Sequence, residues 1–259
     1  MCKECGCGLG GGDVQVGGNQ HAPGHHHHHG HEHHHDHGAA HGPLTLNLNR
    51  SLLEKNDRLA ERNRGCFQAK KLLVLNIVSS PGSGKTTLIR ETAARLKGQL
   101  RVGVIVGDLA TDNDAARLRE VGIPVVQITT GTVCHLDADM VSKAAAQLDL
   151  DQLDVLVIEN VGNLVCPADF DLGEDLRIVL LSTTEGEDKP LKYPPLFHSA
   201  QVAIITKCDL AAAAGFNREQ SLANLRRISH HAQVFELSAR TGEGLKEWLA
   251  FLVAQRSEA

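Results

Sequence analysis

The chain has 259 residues, a formal net charge of −5 and a pI of about 6.3, so no basic stripe argues for a nucleic-acid partner. One Trp, one Tyr and six Phe leave little for base stacking, and no run of about 18 apolar residues is present to span a membrane. Seven cysteines, an odd number, and a Gly-rich start without an apolar leader core favour a reducing cytoplasm and metal chemistry over disulfides.

Residues 1–45 read as a tail rich in Gly and His that nearly lacks large apolar side chains. Such a segment cannot bury enough surface to offset its ordering entropy, so disorder without metal is expected. Cys2, Cys5 and Cys7 form C-x-x-C-x-C, whose thiols can close on one metal without a folded domain. The α-amine can complete four-coordination, a donor set that suits square-planar Ni²⁺ and also admits Zn²⁺ or Cu⁺. The His tract that follows includes His25, His26, His27, His28, His29, His31, His33, His34, His35 and His37. Neutral imidazoles suit Ni, Cu, Zn and Co, and the tract reads as a low-specificity reservoir. The interspersed Gly, Glu32 and Asp36, and the Cys motif upstream, argue against an appended purification tag.

Residues 46–68 form a lead-in. Leu48, Leu52, Leu53 and Leu59, with charges between, predict an amphipathic helix over Asn49–Arg64. Residues 69–259 read as one α/β unit. Apolar runs at Leu72–Val78, Val102–Val106, Val125–Ile128, Val155–Ile158, Ile178–Leu181, Val202–Ile205 and Val234–Leu237 predict strands. Most alternate with helical patterns at Leu88–Leu96, Asp112–Val121, Ala138–Leu148, Arg218–Ser229 and Leu245–Ala254. The expected fold is a mostly parallel sheet covered by helices on both faces, with ligands beyond the carboxyl ends of the strands.

Ser79–Thr87 (S-S-P-G-S-G-K-T-T) lies between the first strand and a helix, the context a phosphate-binding loop needs. In Pro81-Gly82-Ser83-Gly84 to Thr87, Pro81 opens the turn, and the backbone N–H groups from Gly82 onward and the new helix's positive end wrap a polyphosphate. Lys85 is expected to reach the β/γ-phosphates and the Thr86 hydroxyl to bind Mg²⁺. The usual first glycine of this motif is Ser79 here. Val106-Gly107-Asp108 offers a further Mg²⁺-side carboxylate, with a plain turn acid as the alternative; Asp112 reads better as a helix N-cap. Val155–Gly162 ends in E-N-V-G where GTPases carry D-x-x-G, so Glu159 replaces the acid and Gly162 lets the backbone approach a γ-phosphate.

Thr206-Lys207-Cys208-Asp209 resembles the guanine-reading N/T-K-x-D motif of GTPases, and Ser238-Ala239-Arg240 the loop that completes the base pocket. An aspartate accepts from the two guanine N–H groups, and adenine lacks that donor pair. Cys134-His135 and Cys166 follow the third and fourth strands and so sit on the nucleotide side. They can form a metal site, alone or with a matching set from a second subunit, or be unrelated buried residues.

Together, Ser79–Thr87, Gly131–Met140, Glu159–Glu174, Glu185–Pro194 and Thr206–Asp209 resemble the HypB family, nickel-inserting GTPases of [NiFe]-hydrogenase maturation. The resemblance covers roughly residues 44–253. It implies a SIMIBI-class P-loop GTPase in the cytoplasm that forms a GTP-dependent homodimer and hydrolyses GTP to GDP slowly. It implies a Ni²⁺ or Zn²⁺ site at Cys134, His135 and Cys166 near the subunit interface. It also implies nickel transfer to the hydrogenase large-subunit precursor with a small zinc-containing HypA-type partner. The class's early-loop signature lysine is absent, since Ser79 and Ser80 stand there, so activation in trans by such a lysine is not expected. Cys166 lies just after Gly162, in the segment that senses γ-phosphate, so hydrolysis is expected to change metal affinity. A nickel store, a GTPase serving urease or zinc enzymes, and an ATP-dependent small-molecule kinase are the rival readings. The first needs no guanine motif, the Cys134-His135 and E-N-V-G-N-L-V-C-P runs disfavour the second, and Asp209 disfavours the third.

Overall fold

A computed structural model describes residues 43–258, with side chains from residue 50 onward. The tail with Cys2, Cys5, Cys7 and the His25–His37 ligands lies outside the described residues. Seven strands form one sheet: β1 (Leu73–Val78), β2 (Val102–Asp108), β3 (Val125–Thr129), β4 (Val155–Glu159), β5 (Leu176–Ser182), β6 (Val202–Thr206) and β7 (Gln233–Glu236). Their order is β3-β2-β4-β1-β5-β6-β7, and every pairing is parallel. The central strands β1, β4 and β6, near-continuously apolar and buried on both faces, suit this arrangement, while the edge strands β3 and β7 are only partly buried.

Alternate β1 residues feed opposite layers. Leu73, Leu75 and Ile77 pack with α2 (Lys85–Leu96), α3 (Asn113–Arg119) and α8 (Leu245–Glu258), a layer sealed by the fully buried Trp248. The Trp248 indole N–H donates to Thr92 Oγ1 at 3.0 Å, so its polar handle is satisfied inside the core. On the other face Val74, Ile105 and Ile158 pack under α1 (Pro43–Ala69) and α4 (Ala138–Ala145). Val78, Leu181 and Ile205 pack under α6 (Pro194–Ser199) and α7 (Arg218–Ile228). The short α5 (Lys189–Lys192) and α6 were not legible in the proline-rich Glu185–Pro194 run.

The lead-in helix is longer than its leucine pattern suggested, and its most buried stripe lies along the edge of the leucine face, where Leu53 and Leu59 are half-buried. Leu52 is 51% exposed, whereas Asn56, Ala60, Asn63 and Phe67 form the stripe against the domain. Two buried asparagines replace apolar residues there because they bond the backbone beneath them. Asn56 Nδ2 donates to the Asp171 carbonyl at 2.8 Å, and Asn63 Nδ2 donates to the carbonyls of Ala138 (2.8 Å) and Leu172 (3.2 Å). Gly173 completes the seat: at φ +89° a Cβ there would lie 2.7 Å from the Ala60 carbonyl oxygen. Gly173→Ala therefore lowers unfolding stability by about 1–3 kcal/mol through backbone strain alone, before the clash is counted. Urea unfolding checks this, and a wild-type midpoint would mean that α1 is not seated over this turn.

Candidate functional site

The carboxyl ends of β1, β2, β4 and β6 converge on the loop between β1 and α2. Gly82 (φ 75°) and Gly84 (φ 97°) give this loop the left-handed turns that point its N–H groups inward. Ser79 is fully buried and spends its hydroxyl on the Ser80 carbonyl at 2.8 Å, while Ser83 Oγ donates to Ser79 Oγ and to the Ser80 carbonyl. The residue in the motif's first-glycine position is thus tied into the loop by its own hydroxyl. Lys85 Nζ donates to Ser79 Oγ at 3.0 Å. Burial pulls this amine down from its ordinary value, and the Glu159 carboxylate pushes the other way.

Glu159 ends β4 beside the loop and accepts from Thr86 Oγ1 through Oε1 at 2.7 Å. Its Oε2 is buried with no partner among the described residues. Burial raises this carboxyl to about 7, opposed by Lys85 and the Thr86 hydrogen bond. A buried carboxylate oxygen without a donor, next to a phosphate-loop threonine, fits a divalent cation. Asp108 ends β2, and its Oδ1 accepts from the backbone N–H groups of Ala110 and Thr111, both at 2.9 Å. It serves as a turn acid, yet its charge also reaches Lys85 and Glu159. Asp114 acts on both more strongly than Asp108 and was missed in the sequence, where nothing separates it from an ordinary first-turn helix acid. Asp112 takes the N-cap position but makes no capping hydrogen bond.

Gly162 follows in the same segment. A Cβ there would lie 3.0 Å from Pro81 of the phosphate loop, so only glycine fits without displacement. Glu185 was also missed as a site residue: its Oε2 accepts from Ser80 Oγ at 2.7 Å, which places the loop after β5 against the phosphate loop.

On the other side Lys207 adopts φ 58°, and its Nζ donates to the Gly82 carbonyl at 2.7 Å, so its stem crosses the phosphate loop. Asp209 Oδ1 accepts from Ser238 Oγ at 2.6 Å, and Oδ2 accepts from Arg240 Nη2 at 2.7 Å. The Ser238 hydroxyl and then the Arg240 guanidinium hold the Asp209 carboxyl below the usual carboxylate range, so it remains an ionised acceptor. Ala239 sits between these partners, half-buried.

Cys134, His135 and Cys166 do come together. Their ligand atoms all lie within 4.8 Å of one another, and the two sulfurs are 2.8 Å apart. His135 stacks on Phe170 with ring centroids 3.9 Å apart, and its buried Nδ1 has no hydrogen-bond partner among the described residues. Burial lowers the imidazole's pKa against the pull of Asp137 and Asp169, which favours the neutral, ligating form. Two thiolates and one imidazole suit a soft or borderline metal and leave a position open. The two ligand loops are joined by asparagines. Asn160 Oδ1 accepts from the Leu136 N–H at 3.3 Å, and Asn163 Nδ2 donates to the Cys134 carbonyl at 3.2 Å. Arg177 anchors the Cys166 loop from below, donating to the carbonyls of Ala168 and Phe170 while Glu174 holds its Nε. Cys66 and Cys208 lie outside this cluster, the first exposed and the second beside the base-reading loop, where burial pushes its thiol up to about 11.

Residues 73–236 match the family described as CobW/HypB/UreG, nucleotide-binding domain. The chain is 52% identical over 211 residues to the hydrogenase maturation factor HypB of Escherichia coli (strain K12), covering 82% of this chain and 73% of that protein. The chain belongs to the HypB family. The hydrogenase/urease maturation factor HypB of Helicobacter pylori is 41% identical over 211 residues, covering 80% of this chain and 86% of that protein. The crystal structure of Helicobacter pylori HypB in complex with nickel superposes with a TM-score of 0.76 at 41% identity, covering 79% of this chain and 96% of that one. HypB from Archaeoglobus fulgidus gives a TM-score of 0.74 at 40% identity, covering 78% and 99%. The parallel sheet and phosphate loop are therefore those of a HypB-type P-loop fold.

The raised Glu159 carboxyl has a pH signature. Below its ordinary 4.5 it is neutral in both folded and unfolded chains. Between 4.5 and about 7 the unfolded chain ionises first, so this residue makes stability fall as pH rises. Glu159→Gln removes that slope. Without nucleotide or divalent cation, the variant gains on wild type across this window and no further above it. Urea unfolding against pH checks this; parallel curves would show that Glu159 ionises normally.

Proposed function

We propose that this protein is a GTPase that binds Ni²⁺ and delivers it to the [NiFe]-hydrogenase large-subunit precursor. The observation that carries the reading is the single segment Glu159–Cys166. Glu159 bonds the phosphate-loop Thr86, Gly162 lies against Pro81, and Cys166 supplies a metal ligand. Nucleotide contacts and a metal thiolate thus share one short stretch of backbone.

Pro81–Thr87 would wrap the phosphates of GTP, with Lys85 on the β/γ side. Asp209 would accept from the guanine edge while Ser238 and Arg240 fix its orientation, and the Lys207 stem would pack on the base. Thr86, Glu159 and Asp108 would hold Mg²⁺, directly or through its waters. When bound, Mg²⁺ neutralises charge on the phosphates. Glu159 must ionise to serve it, which the approach of a cation favours. Ni²⁺ is the cargo: Cys134, His135 and Cys166 would take it as two thiolates and one imidazole, a set that also admits Zn²⁺. Release of the Gly162 segment on hydrolysis would move Cys166 and weaken the site. A GTP-dependent homodimer, a HypA-type partner and storage on Cys2, Cys5, Cys7 and the His tract complete the proposal. Exposed Leu109 and Val165, flanking Asp108 and Cys166, support an interface at this edge of the sheet.

The test is hydrogenase activity in a strain lacking this protein. Activity is expected to be lost, restored by added nickel, restored by wild type at low nickel, and not restored by Lys85→Ala or Cys166→Ala. Intact hydrogenase with a failing urease or zinc enzyme would show that the client is wrong. Nucleotide choice has its own test. Asp209→Asn replaces one acceptor by a donor, so GTP affinity falls by at least about a hundredfold while xanthosine triphosphate, which carries a carbonyl at that edge, gains. Equal GTP binding by variant and wild type would remove Asp209 from the base pocket.

A further inference from the structure

The metal donors come from two separate loops: Cys134 and His135 follow β3, and Cys166 follows β4. Whatever fixes the distance between those loops fixes the site. The nucleotide side contributes Asn160 and Asn163. A second tie, on the side facing away from the phosphate loop, comes from α1.

Asn56 accepts from the Ala138 N–H through Oδ1 at 2.9 Å and donates to the Asp171 carbonyl at 2.8 Å. Asn63 Nδ2 donates to the Ala138 and Leu172 carbonyls at 2.8 and 3.2 Å. Ala138 lies directly after the Cys134–Asp137 run, and Asp171 and Leu172 lie just after the Cys166 loop. Each asparagine therefore holds both loops at once. Arg64 adds a two-pronged bond to the Asp171 carboxylate at 2.9 and 2.8 Å, and Gly173 lets the helix backbone close onto the turn. Phe170, between Cys166 and Asp171, is the ring on which His135 stacks.

The asparagines are 5% and 4% exposed at positions where a docking helix would ordinarily bury leucine. Leucine would gain more from burial, whereas a satisfied buried amide fixes position. We infer that α1 is a brace for the metal site, with Asn56 and Asn63 as positioning residues that set the spacing of the Cys134-His135 and Cys166 loops. This deepens the proposed function and rests on its assignment of those three ligands. Tilting or lifting α1 slackens both loops together and lowers metal affinity without touching a ligand.

The test uses the full chain with Cys2, Cys5 and Cys7 changed to Ser, so that the thiolate-to-metal absorption of added Ni²⁺ reports Cys134 and Cys166. Asn56→Ala and Asn63→Ala, made singly, are expected to weaken Ni²⁺ binding about ten- to a hundredfold and to alter the band, with GTP affinity unchanged. Thr92→Val, which likewise strips the partner from a buried hydrogen bond but on the opposite face of the sheet, is expected to leave the band as it was. Should one Ala variant fail to bind GTP as a folded protein, Asn56→Ser carries the same prediction. Parent-like Ni²⁺ affinity and band in the folded asparagine variants overturns the brace, provided the double change Cys134→Ala and Cys166→Ala abolishes the band. A band that survives the double change overturns the ligand assignment, and the brace with it.

Discussion

The structure turns on the covalent continuity of Glu159 to Cys166. A parallel sheet delivers all its strand ends to one edge, so the β4 exit must pass the phosphate loop at the β1 exit. Glu159 is fixed there by Thr86, and Gly162 by contact with Pro81. Four residues later the same chain presents Cys166 to Cys134. A segment so short, tied near both ends, has few residues in which to absorb a shift at the phosphate loop before Cys166. Packed segments of this kind move between discrete arrangements rather than deform smoothly.

Buried polar groups, more than apolar ones, carry this arrangement. Asn160 bonds the Cys134 loop and donates to Asn76 at 3.3 Å, and Asn76, fully buried in β1, donates to Glu174 at 2.9 Å. Glu174 in turn holds Arg177, which grips the backbone after Cys166. The chain of bonds runs from the nucleotide edge through the sheet and back to the metal loop. An unpaired member would cost about 1–3 kcal/mol, so the network admits few alternative packings. Glu159 Oε2 and His135 Nδ1 stand outside this network, each buried without a hydrogen-bond partner among the described residues.

The strands were legible because each is a short apolar run bounded by turn residues, and the nucleotide loops because their chemistry demands residue types at fixed spacing. Cys134, His135 and Cys166 were legible as a group only through family resemblance, since spacing alone left buried thiols as good a reading. The lead-in helix was legible, but what seats it was not: the leucines mark roughly the right face, where Leu53 and Leu59 are half-buried, yet Asn56 and Asn63 make the docking bonds. Hydrophobic periodicity is blind to a helix seated by hydrogen bonds to distant backbone. Glu185 was hidden for a similar reason, as its partner Ser80 lies 105 positions away. Asp114 looks like any first-turn acid until the sheet brings it near Glu159.

The central claim is that nucleotide state and metal affinity are coupled through Glu159–Cys166. The most direct measurement is Ni²⁺ affinity at Cys134, His135 and Cys166 with a non-hydrolysable GTP analogue and with GDP, read from thiolate absorption in the full chain lacking Cys2, Cys5 and Cys7. The account predicts tighter binding with the GTP analogue, by a factor of about 5–150, the usual range for a coupling free energy between two sites. Equal affinity in the two states would contradict it.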